Sequence, residues 1–344
     1  GMQVHGDLRA SGARLAAELD PSGARGVALN LDRAHIGGQL LLDAGFSAAG
    51  QVRLQRAQIG GDLDATGAGF DAIGDAGWGD AAAVLLDRAR IGGKLILQQL
   101  QRPLEGTSLI DARVGSLVDD AQAWGTHHSL DGFAYQRFGD SAPTDAMTRL
   151  GWLATQRARP GAADFRPDPW RRVIRVLRRM GLDRSASDVA IGRERHLRRV
   201  GLIGAGVAPA LRWLPRTGHA LWGALTGYGQ RPLRLLLISA VLWLACAGAY
   251  WSAAEHGLLV AATPQPAVKA HTRLRPFAHS LDVMLPLLDL HEQRRWVPAL
   301  RDGAYATPAG AVQLLTWAEA LWGWLAAIAL LAIATGATDR DRRV

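Results

Sequence analysis

Apolar and polar residues alternate through the first third of the chain. The segments LDRAHIGGQLLL at 31–42, LQRAQIGGDLDA at 54–65 and LDRARIGGKLIL at 86–97 carry apolar residues two positions apart on both sides of a glycine pair. A period of two predicts short strands that each bury one face. The glycine pairs interrupt the strands at points where the chain needs a corner free of Cβ atoms.

These segments recur at a regular spacing. The aligned residues Ile36, Ile59 and Ile91 are separated by 23 and then 32 residues, which gives a paired period of 55 residues. Short strands at a fixed period are typical of a parallel β-helix, in which each coil buries its apolar face by stacking on the next. We therefore predict a β-solenoid, a parallel β-helix, over residues 1–136. Because residues 4–13 already match the pattern, we expect this domain to be truncated at its N-terminal end.

Residues 137–216 have helical rather than strand spacing. Asp168 followed by Pro169 is typical of a helix start, and Gly181 separates this helix from the next one. We predict a basic α-helical connector in this region.

The connector helices carry arginines opposite their apolar faces. Such a helix pair could read DNA as a helix-turn-helix or lie on an anionic membrane, and we favour the membrane because two apolar spans follow. We therefore expect anionic lipid headgroups, and not nucleic acid, as the partner of these helices. The candidate lipid-facing basic collar consists of Arg171, Arg172, Arg175, Arg178, Arg179, Arg195, Arg198 and Arg199.

The region 217–344 holds two long apolar stretches, near 234–254 and 312–336. As helices, both are long enough to span the hydrocarbon core, so we predict a two-helix transmembrane hairpin. Arginines flank the hairpin, and the positive-inside rule then places both termini in the cytoplasm and the loop 255–311 outside. We expect a multi-pass protein of the bacterial inner membrane with a cytoplasmic solenoid.

Membrane anchoring alone does not explain two features of the hairpin. Glu319 lies within the second span, where an acid is either a candidate functional residue or a residue near the headgroups. Residues 275–298 form either a re-entrant element or an amphipathic helix on the outer leaflet, and we favour the latter because the apolar stretch is too short to span. The candidate loop residues are Ser280, Leu281, Asp282, Pro286 and Asp289.

The composition and residue spacing argue against a catalytic, metal or cofactor site. The chain has 39 Lys and Arg against 31 Asp and Glu, a net charge of +8 carried almost entirely by arginine, which fits an anionic partner. The single cysteine, Cys246, forms neither an internal disulfide nor a metal cluster. Histidines and acids between 256 and 292, His279 included, match no metal-ligand spacing, so we expect solvated loop residues. We predict no catalytic residue, no metal and no cofactor.

Three arginines at equivalent positions of the repeat allow an enzymatic alternative for the first domain. Arg33, Arg56 and Arg88 occupy equivalent positions and are expected to form a ladder that Asp111 breaks. The ladder is either part of the repeat without a further role or one face of an enzyme that acts on polysaccharides. We favour the former because no paired carboxylates converge on one site.

The order of motifs resembles a family of bacterial membrane proteins with pentapeptide-like β-solenoid repeats and a C-terminal two-span hairpin. The matching residues are IGGQL, IGGDL and IGGKL, together with TGYGQRP at 226–232 and SLDVMLPLLDL at 280–290. The resemblance covers nearly the whole chain and implies architecture and location. Some members are labelled membrane-associated oxidoreductase, but the sequence contains no cofactor motif that supports this activity.

The sequence predicts a membrane-anchored scaffold or interaction protein, with a protein partner on the solenoid. One alternative is an oligomeric ion channel or gating protein, in which homo-oligomers form a pore with 275–298 as the re-entrant element. The other is a membrane-associated oxidoreductase, which rests on the family label alone.

Overall fold

The computed structural model of the chain contains two compact units, residues 1–212 (unit 1) and 213–344 (unit 2). The structure describes residues 1–18, 26–71, 82–156, 165–262, 274–285, 288–300 and 307–336.

Unit 1 begins with short strands whose alternate side chains are buried. Most of these strands are two or three residues long, because a turn follows each buried pair. They are β1 Gln3–Val4, β2 Leu8–Arg9, β3 Arg14–Ala16, β4 Val27–Asn30, β5 His35–Ile36, β6 Leu40–Leu41, β7 Ser47–Ala49, β8 Gln51–Arg53, β9 Gln58–Ile59, β10 Leu63–Asp64, β11 Gly69–Asp71, β12 Val84–Leu85, β13 Arg90–Leu97, β14 Arg113–Asp119 and β15 Ala134–Phe138.

All of these strands pair in parallel. A nine-stranded sheet has the order β1-β5-β9-β13-β10-β6-β2, with β14 and β15 added beside β13, and two three-stranded sheets have the orders β11-β7-β3 and β12-β8-β4. In the largest sheet Ile36 lies opposite Ile59, and Ile91 lies opposite both Ile59 and Val114. In the pairs that contain these isoleucines, neighbouring strands therefore come from positions 23 or 32 residues apart in the sequence.

The predicted fold class, a β-solenoid followed by a connector and a hairpin, is wrong. The parallel strands lie in several separate sheets that are not closed on one another, and the described residues also form seven α-helices. An alternating pattern specifies which side chains are buried and which residues pair. It does not specify how successive sheets join, because the connecting turns decide this.

Three α-helices and a short 3-10 helix complete unit 1. They are α1 Ala146–Ala154, α2 Pro167–Arg179, α3 Asp183–Arg199 and the 3-10 helix Pro209–Leu211. The apolar faces of α1, α2 and α3 belong to the same hydrophobic core as the strands.

The start of α2 differs from the prediction. Its first residue is Pro167 and its N-cap is Arg166, so Asp168 lies inside the first turn rather than at the cap. The Asp168 carboxylate instead accepts a 3.2 Å hydrogen bond from the backbone N–H of Gly132. Gly181 follows the end of α2 in the left-handed conformation (φ +75°), as the sequence predicted.

The described residues of unit 2 form four helices and one strand pair. They are α4 Trp213–Thr226, α5 Pro232–Glu255, β16 Leu259–Ala261, α6 Pro276–Met284, β17 Trp296–Pro298 and α7 Pro308–Ala334. The antiparallel pair of β16 and β17 lies between α5 and α7 in the chain. Both α5 and α7 are long and apolar enough to cross a membrane, which confirms the two predicted apolar stretches as helices. Only 22% and 17% of their most apolar segments are buried inside the protein, whereas a core helix of a soluble protein would be mostly buried.

Candidate functional site

A buried polar cluster joins α5, α6 and α7. Its centre is Glu319 of α7, whose side chain is 1% exposed. The hydroxyl of Tyr250, on α5, donates a 2.8 Å hydrogen bond to one carboxylate oxygen, and the hydroxyl of Ser280, on α6, donates to the other. Tyr250 and Ser280 are themselves fully buried. A single carboxylate is therefore held by donors from two other helices.

Further polar groups surround this centre. The Tyr250 hydroxyl lies 3.3 Å from the Thr316 hydroxyl, and the Ser280 hydroxyl lies 3.2 Å from the carbonyl oxygen of Trp243. Cys246 is buried nearby, in the same hydrophobic cluster as Tyr250. The cluster thus offers an acid and several hydroxyl groups within a largely apolar helix bundle.

Glu319 lies well inside its helix. It follows Pro308, the first residue of α7, by eleven residues, which places it about 16 Å along the axis at 1.5 Å per residue. This is about three turns from the N-terminal end of α7, deeper than the one or two turns expected of a residue near the headgroups.

The helix α6 packs against the middle of both long helices. The indole N–H of Trp243, the twelfth of 24 residues in α5, donates a 3.0 Å hydrogen bond to the carbonyl oxygen of Phe277. Gly323, near the midpoint of α7, lies so close to α6 that a Cβ built on it would overlap the carbonyl oxygen of Met284. This approach requires glycine at 323.

Asp282 organises the segment that follows α6. Its carboxylate accepts hydrogen bonds from the backbone N–H groups of Leu290 at 2.6 Å and Gln293 at 2.8 Å. Since Asp282 is 7% exposed, these two bonds hold the segment that contains Leu290 and Gln293 against the buried side of α6.

The other candidate loop residues have different environments. Leu281 is half-buried beside Ser280 on α6. Asp289 is partly exposed and forms an ion pair with Arg294 at 3.0 Å. Pro286 lies outside the described residues. The structure thus brings Ser280 and Asp282 to the buried side of α6 and leaves Asp289 at the surface.

His279 is a site residue that the sequence did not reveal. It was expected to be a solvated loop residue, but it is 2% exposed. Its ring stands edge-on to that of Tyr250, with centroids 4.8 Å apart, and its Nδ1 lies 3.4 Å from the carbonyl oxygen of Glu292. Only the packing of α6 against α5 creates this environment, so no local pattern signals it.

The eight arginines of the predicted basic collar divide by exposure. Three lie fully at the surface of α2 and α3, namely Arg179, Arg195 and Arg199. Five are partly buried, namely Arg171, Arg172, Arg175, Arg178 and Arg198.

Within the ranges that the structure describes, no group of three or more His, Cys, Asp or Glu side chains is arranged to hold a metal ion. No protein-family model, curated protein or solved structure matches the chain.

Proposed function

We propose that the chain is a membrane-anchored interaction protein, in which α5 and α7 cross the bacterial inner membrane and unit 1 binds a partner. The observation that carries this proposal is the outer surface of α5 and α7. The side chains of Leu237, Val241, Leu325 and Leu331 are between 57% and 67% exposed. Apolar surface of this length is costly in water and favourable in hydrocarbon.

The arginines before α5 and in its first turn support a cytoplasmic unit 1. Arg212, Arg216, Arg231 and Arg234 all lie within about 20 residues of the first span, the range over which positive residues set orientation. In this orientation both termini are cytoplasmic and the segment between α5 and α7 is outside. The resemblance of TGYGQRP and SLDVMLPLLDL to bacterial membrane proteins supports the same location.

The exposed collar arginines favour contact with an anionic leaflet. Arg179, Arg195 and Arg199 would each contribute roughly 1 kcal/mol near a surface of anionic headgroups. Since the spans alone would hold the protein in the membrane, these side chains serve orientation at the surface rather than anchoring.

Extraction of bacterial membranes tests the anchor. The full chain should stay in the membrane pellet after washes with high salt and with alkaline carbonate, which remove peripheral proteins. A matched pair of variants controls for aggregation: Val241→Arg places a charge on the exposed face of α5, and Arg14→Gln changes an exposed residue of unit 1. We expect only Val241→Arg to reduce membrane retention. Release of the unmodified chain by carbonate would overturn the proposal.

A second candidate function is an oligomeric ion channel or gating protein. It is favoured by α6, which packs against the midpoints of both long helices through the Ser280–Glu319 contact and would form a re-entrant element within the membrane. A buried acid at this depth is costly and is a functional candidate for that reason. Two spans enclose no pathway, so this function requires several copies of the chain.

Conductance in liposomes tests the channel. Purified protein should produce a conductance that Glu319→Gln alters and that Glu255→Gln, at the exposed end of α5, leaves unchanged. Absence of conductance from a correctly inserted oligomer would contradict the channel and leave the anchor intact.

A further inference from the structure

The arginines Arg33, Arg56 and Arg88 form a row on unit 1. The backbone N–H of Arg33 donates to the carbonyl oxygen of Gln55, the neighbour of Arg56, and the N–H of Arg56 donates to the carbonyl oxygen of Asp87, the neighbour of Arg88. Each arginine therefore lies one strand spacing, about 4.8 Å, from the next. Three positively charged side chains leave the protein in a line about 10 Å long.

The backbone at these positions favours glycine rather than arginine. Arg33, Arg56 and Arg88 have φ values of +58°, +59° and +58°, in the left-handed region that side chains with a Cβ rarely adopt. The same row continues through Asp111 to Gly132, where glycine takes this conformation with φ +69°. Asp111 has the same conformation, with φ +57°, so four successive residues of the row keep a side chain where glycine would relieve the strain.

Among the residues that the structure describes, two of these guanidinium groups have no acidic partner. Arg88 lies 3.7 Å from Asp111 in an exposed ion pair, whereas Arg33 and Arg56 contact no carboxylate among the residues that the structure describes. The nearby acids are engaged by other donors. Asp32 accepts a 2.8 Å hydrogen bond from the backbone N–H of Gln55 and pairs with Arg53 at 2.9 Å.

Asp87 is held in the same way. Its carboxylate accepts a 3.1 Å hydrogen bond from the backbone N–H of Ile110, a bond from the Ser108 hydroxyl, and a 3.2 Å bond from the amide of Gln55. The two aspartates therefore bind the backbone next to the row, and they do not neutralise the guanidinium groups of Arg33 and Arg56.

An open cavity of about 710 Å³ lies over the row. Its volume falls within the range of about 300–1,000 Å³ that is typical of small-ligand sites. Its charged lining consists of four arginines and two aspartates, an excess of two positive charges, and its polar lining adds the amides of Asn30 and Gln55. The charged residues are Arg33, Arg53, Arg56, Arg88, Asp32 and Asp87.

We propose that this cavity binds a compact ligand with two or more linked phosphate groups. The planar guanidinium group pairs with two phosphate oxygens at once, and a row of three at about 4.8 Å spacing matches several phosphates better than one carboxylate. The source of the phosphates is either a soluble polyphosphate or a polyphosphorylated lipid headgroup. This inference rests on the proposed function in one respect, which is that unit 1 binds a partner.

Binding of inorganic tripolyphosphate to the full chain in detergent micelles tests the proposal. We expect saturable binding that exceeds the binding of orthophosphate at least tenfold at equal ionic strength. Arg33→Gln and Arg56→Gln should each weaken it about tenfold, because each removes a charge-assisted pair. Arg14→Gln, a charge of the same sign outside the cavity, should leave it unchanged.

Two further variants separate a ligand role from a structural one. Arg56→Gly relieves the strained backbone, so it should raise the melting temperature of the chain and yet weaken tripolyphosphate binding as much as Arg56→Gln does. Asp111→Asn removes the acid beside Arg88 and should strengthen binding. A structural role for the row predicts instead that Arg56→Gly leaves binding unchanged, and that result would overturn the proposal.

Competition identifies the source of the phosphates. Cardiolipin in the micelles displaces tripolyphosphate if the site takes a headgroup and leaves it bound if the site takes a soluble ligand, and both results support a phosphate site. Equal affinity for orthophosphate, or equal loss on Arg14→Gln, would show a general charge effect and would contradict the proposal. Tripolyphosphate binding is measured in detergent micelles. Its outcome is therefore independent of whether carbonate releases the chain from membranes.

Discussion

The hydroxyl of Tyr250 lies 2.8 Å from the carboxylate of Glu319, across the contact between α5 and α7. Ser280 of α6 binds the same carboxylate, so one buried group connects three helices. A buried carboxylate without donors is costly, and a buried hydroxyl without an acceptor is costly as well. The packing of α5, α6 and α7 therefore depends on the carboxylate and both hydroxyl groups being present together.

Replacing Glu319 tests this dependence. Glu319→Ala leaves the hydroxyls of Tyr250 and Ser280 only their longer contacts, at 3.3 Å with the Thr316 hydroxyl and at 3.2 Å with the Trp243 carbonyl oxygen. The loss of the carboxylate should therefore cost about 1–3 kcal/mol in all. Glu319→Gln keeps an acceptor oxygen and should cost less than Glu319→Ala. The measurement is the unfolding free energy of unit 2 in detergent, with Glu255→Ala as the exposed control. Equal stability of Glu319→Ala and the unmodified chain would contradict the contact.

The close approach of Gly323 to Met284 gives a second prediction. Gly323→Ala would force α6 away from α7, because the new Cβ overlaps the Met284 carbonyl oxygen. Cys246 is the single cysteine and is buried in this bundle, so its rate of reaction with a maleimide reports the displacement. We expect faster labelling in Gly323→Ala and no change in Gly218→Ala, where a Cβ meets nothing within 4 Å. Equal rates in the two variants would count against this packing.

A buried ion pair connects β14 and α1 in unit 1. Arg149 binds both oxygens of Asp119, at 2.7 and 2.8 Å, and both side chains are 1% exposed. Arg149→Met leaves a buried charge and should cost about 3–5 kcal/mol of unfolding free energy. Adding Asp119→Asn removes that charge and retains an acceptor for the Trp124 indole, so at least half of the loss should return.

An exposed pair at a similar distance, with a single contact, provides the control. Arg137 and Asp140 are 2.8 Å apart at the surface, and Arg137→Met should change the unfolding free energy by less than about 1 kcal/mol. Denaturation followed by tryptophan fluorescence measures all of these variants. A loss in Arg149→Met no larger than that in Arg137→Met would show that the buried pair does not stabilise unit 1.

His128 should make the stability of unit 1 depend on pH. Burial lowers the pKa of His128 from 6.5 to about 4; the backbone of Gly125 and the charge of Glu105 raise it by smaller amounts, and His127 lowers it slightly further. The unfolded chain takes up a proton below pH 6.5 while the folded chain remains neutral down to about pH 4. Stability is therefore complete above pH 6.5 and is lost as the pH falls, by about 1.4 kcal/mol per pH unit.

Melting temperatures between pH 7 and pH 5 check this slope. His128→Phe keeps an aromatic ring beside Trp124 and cannot be protonated, so it should remove most of the slope. His127→Gln changes an exposed neighbour and should retain it. An unchanged slope in His128→Phe would assign the pH dependence to other groups.

The sequence predicted the elements that a regular period defines. Spacings between Ile36, Ile59 and Ile91 give the parallel register, because parallel strands place equivalent side chains opposite one another. Uninterrupted apolar stretches likewise give α5 and α7. The β-solenoid prediction was wrong because the period does not determine how the sheets are connected.

The contacts of the candidate site could not be predicted in this way. Ser280 and Glu319 are 39 residues apart, on helices that meet only through tertiary packing. His279 belongs to a short helix whose burial depends on the close approach at Gly323. The start of α2 was predicted two residues too late, at Asp168 rather than at the cap Arg166, because Pro167 as well as Pro169 can occupy the first turn.

Sidedness of the two units tests the central claim most directly. In a Cys246→Ser background, a single cysteine replaces Met147, exposed on α1, or Val297, exposed on β17 between the two long helices. Intact bacterial spheroplasts are then treated with a membrane-impermeant maleimide, before and after lysis. The account predicts that Val297→Cys reacts in intact spheroplasts and that Met147→Cys reacts only after lysis. Reaction of both positions only after lysis, or of Met147→Cys in intact spheroplasts, would contradict it.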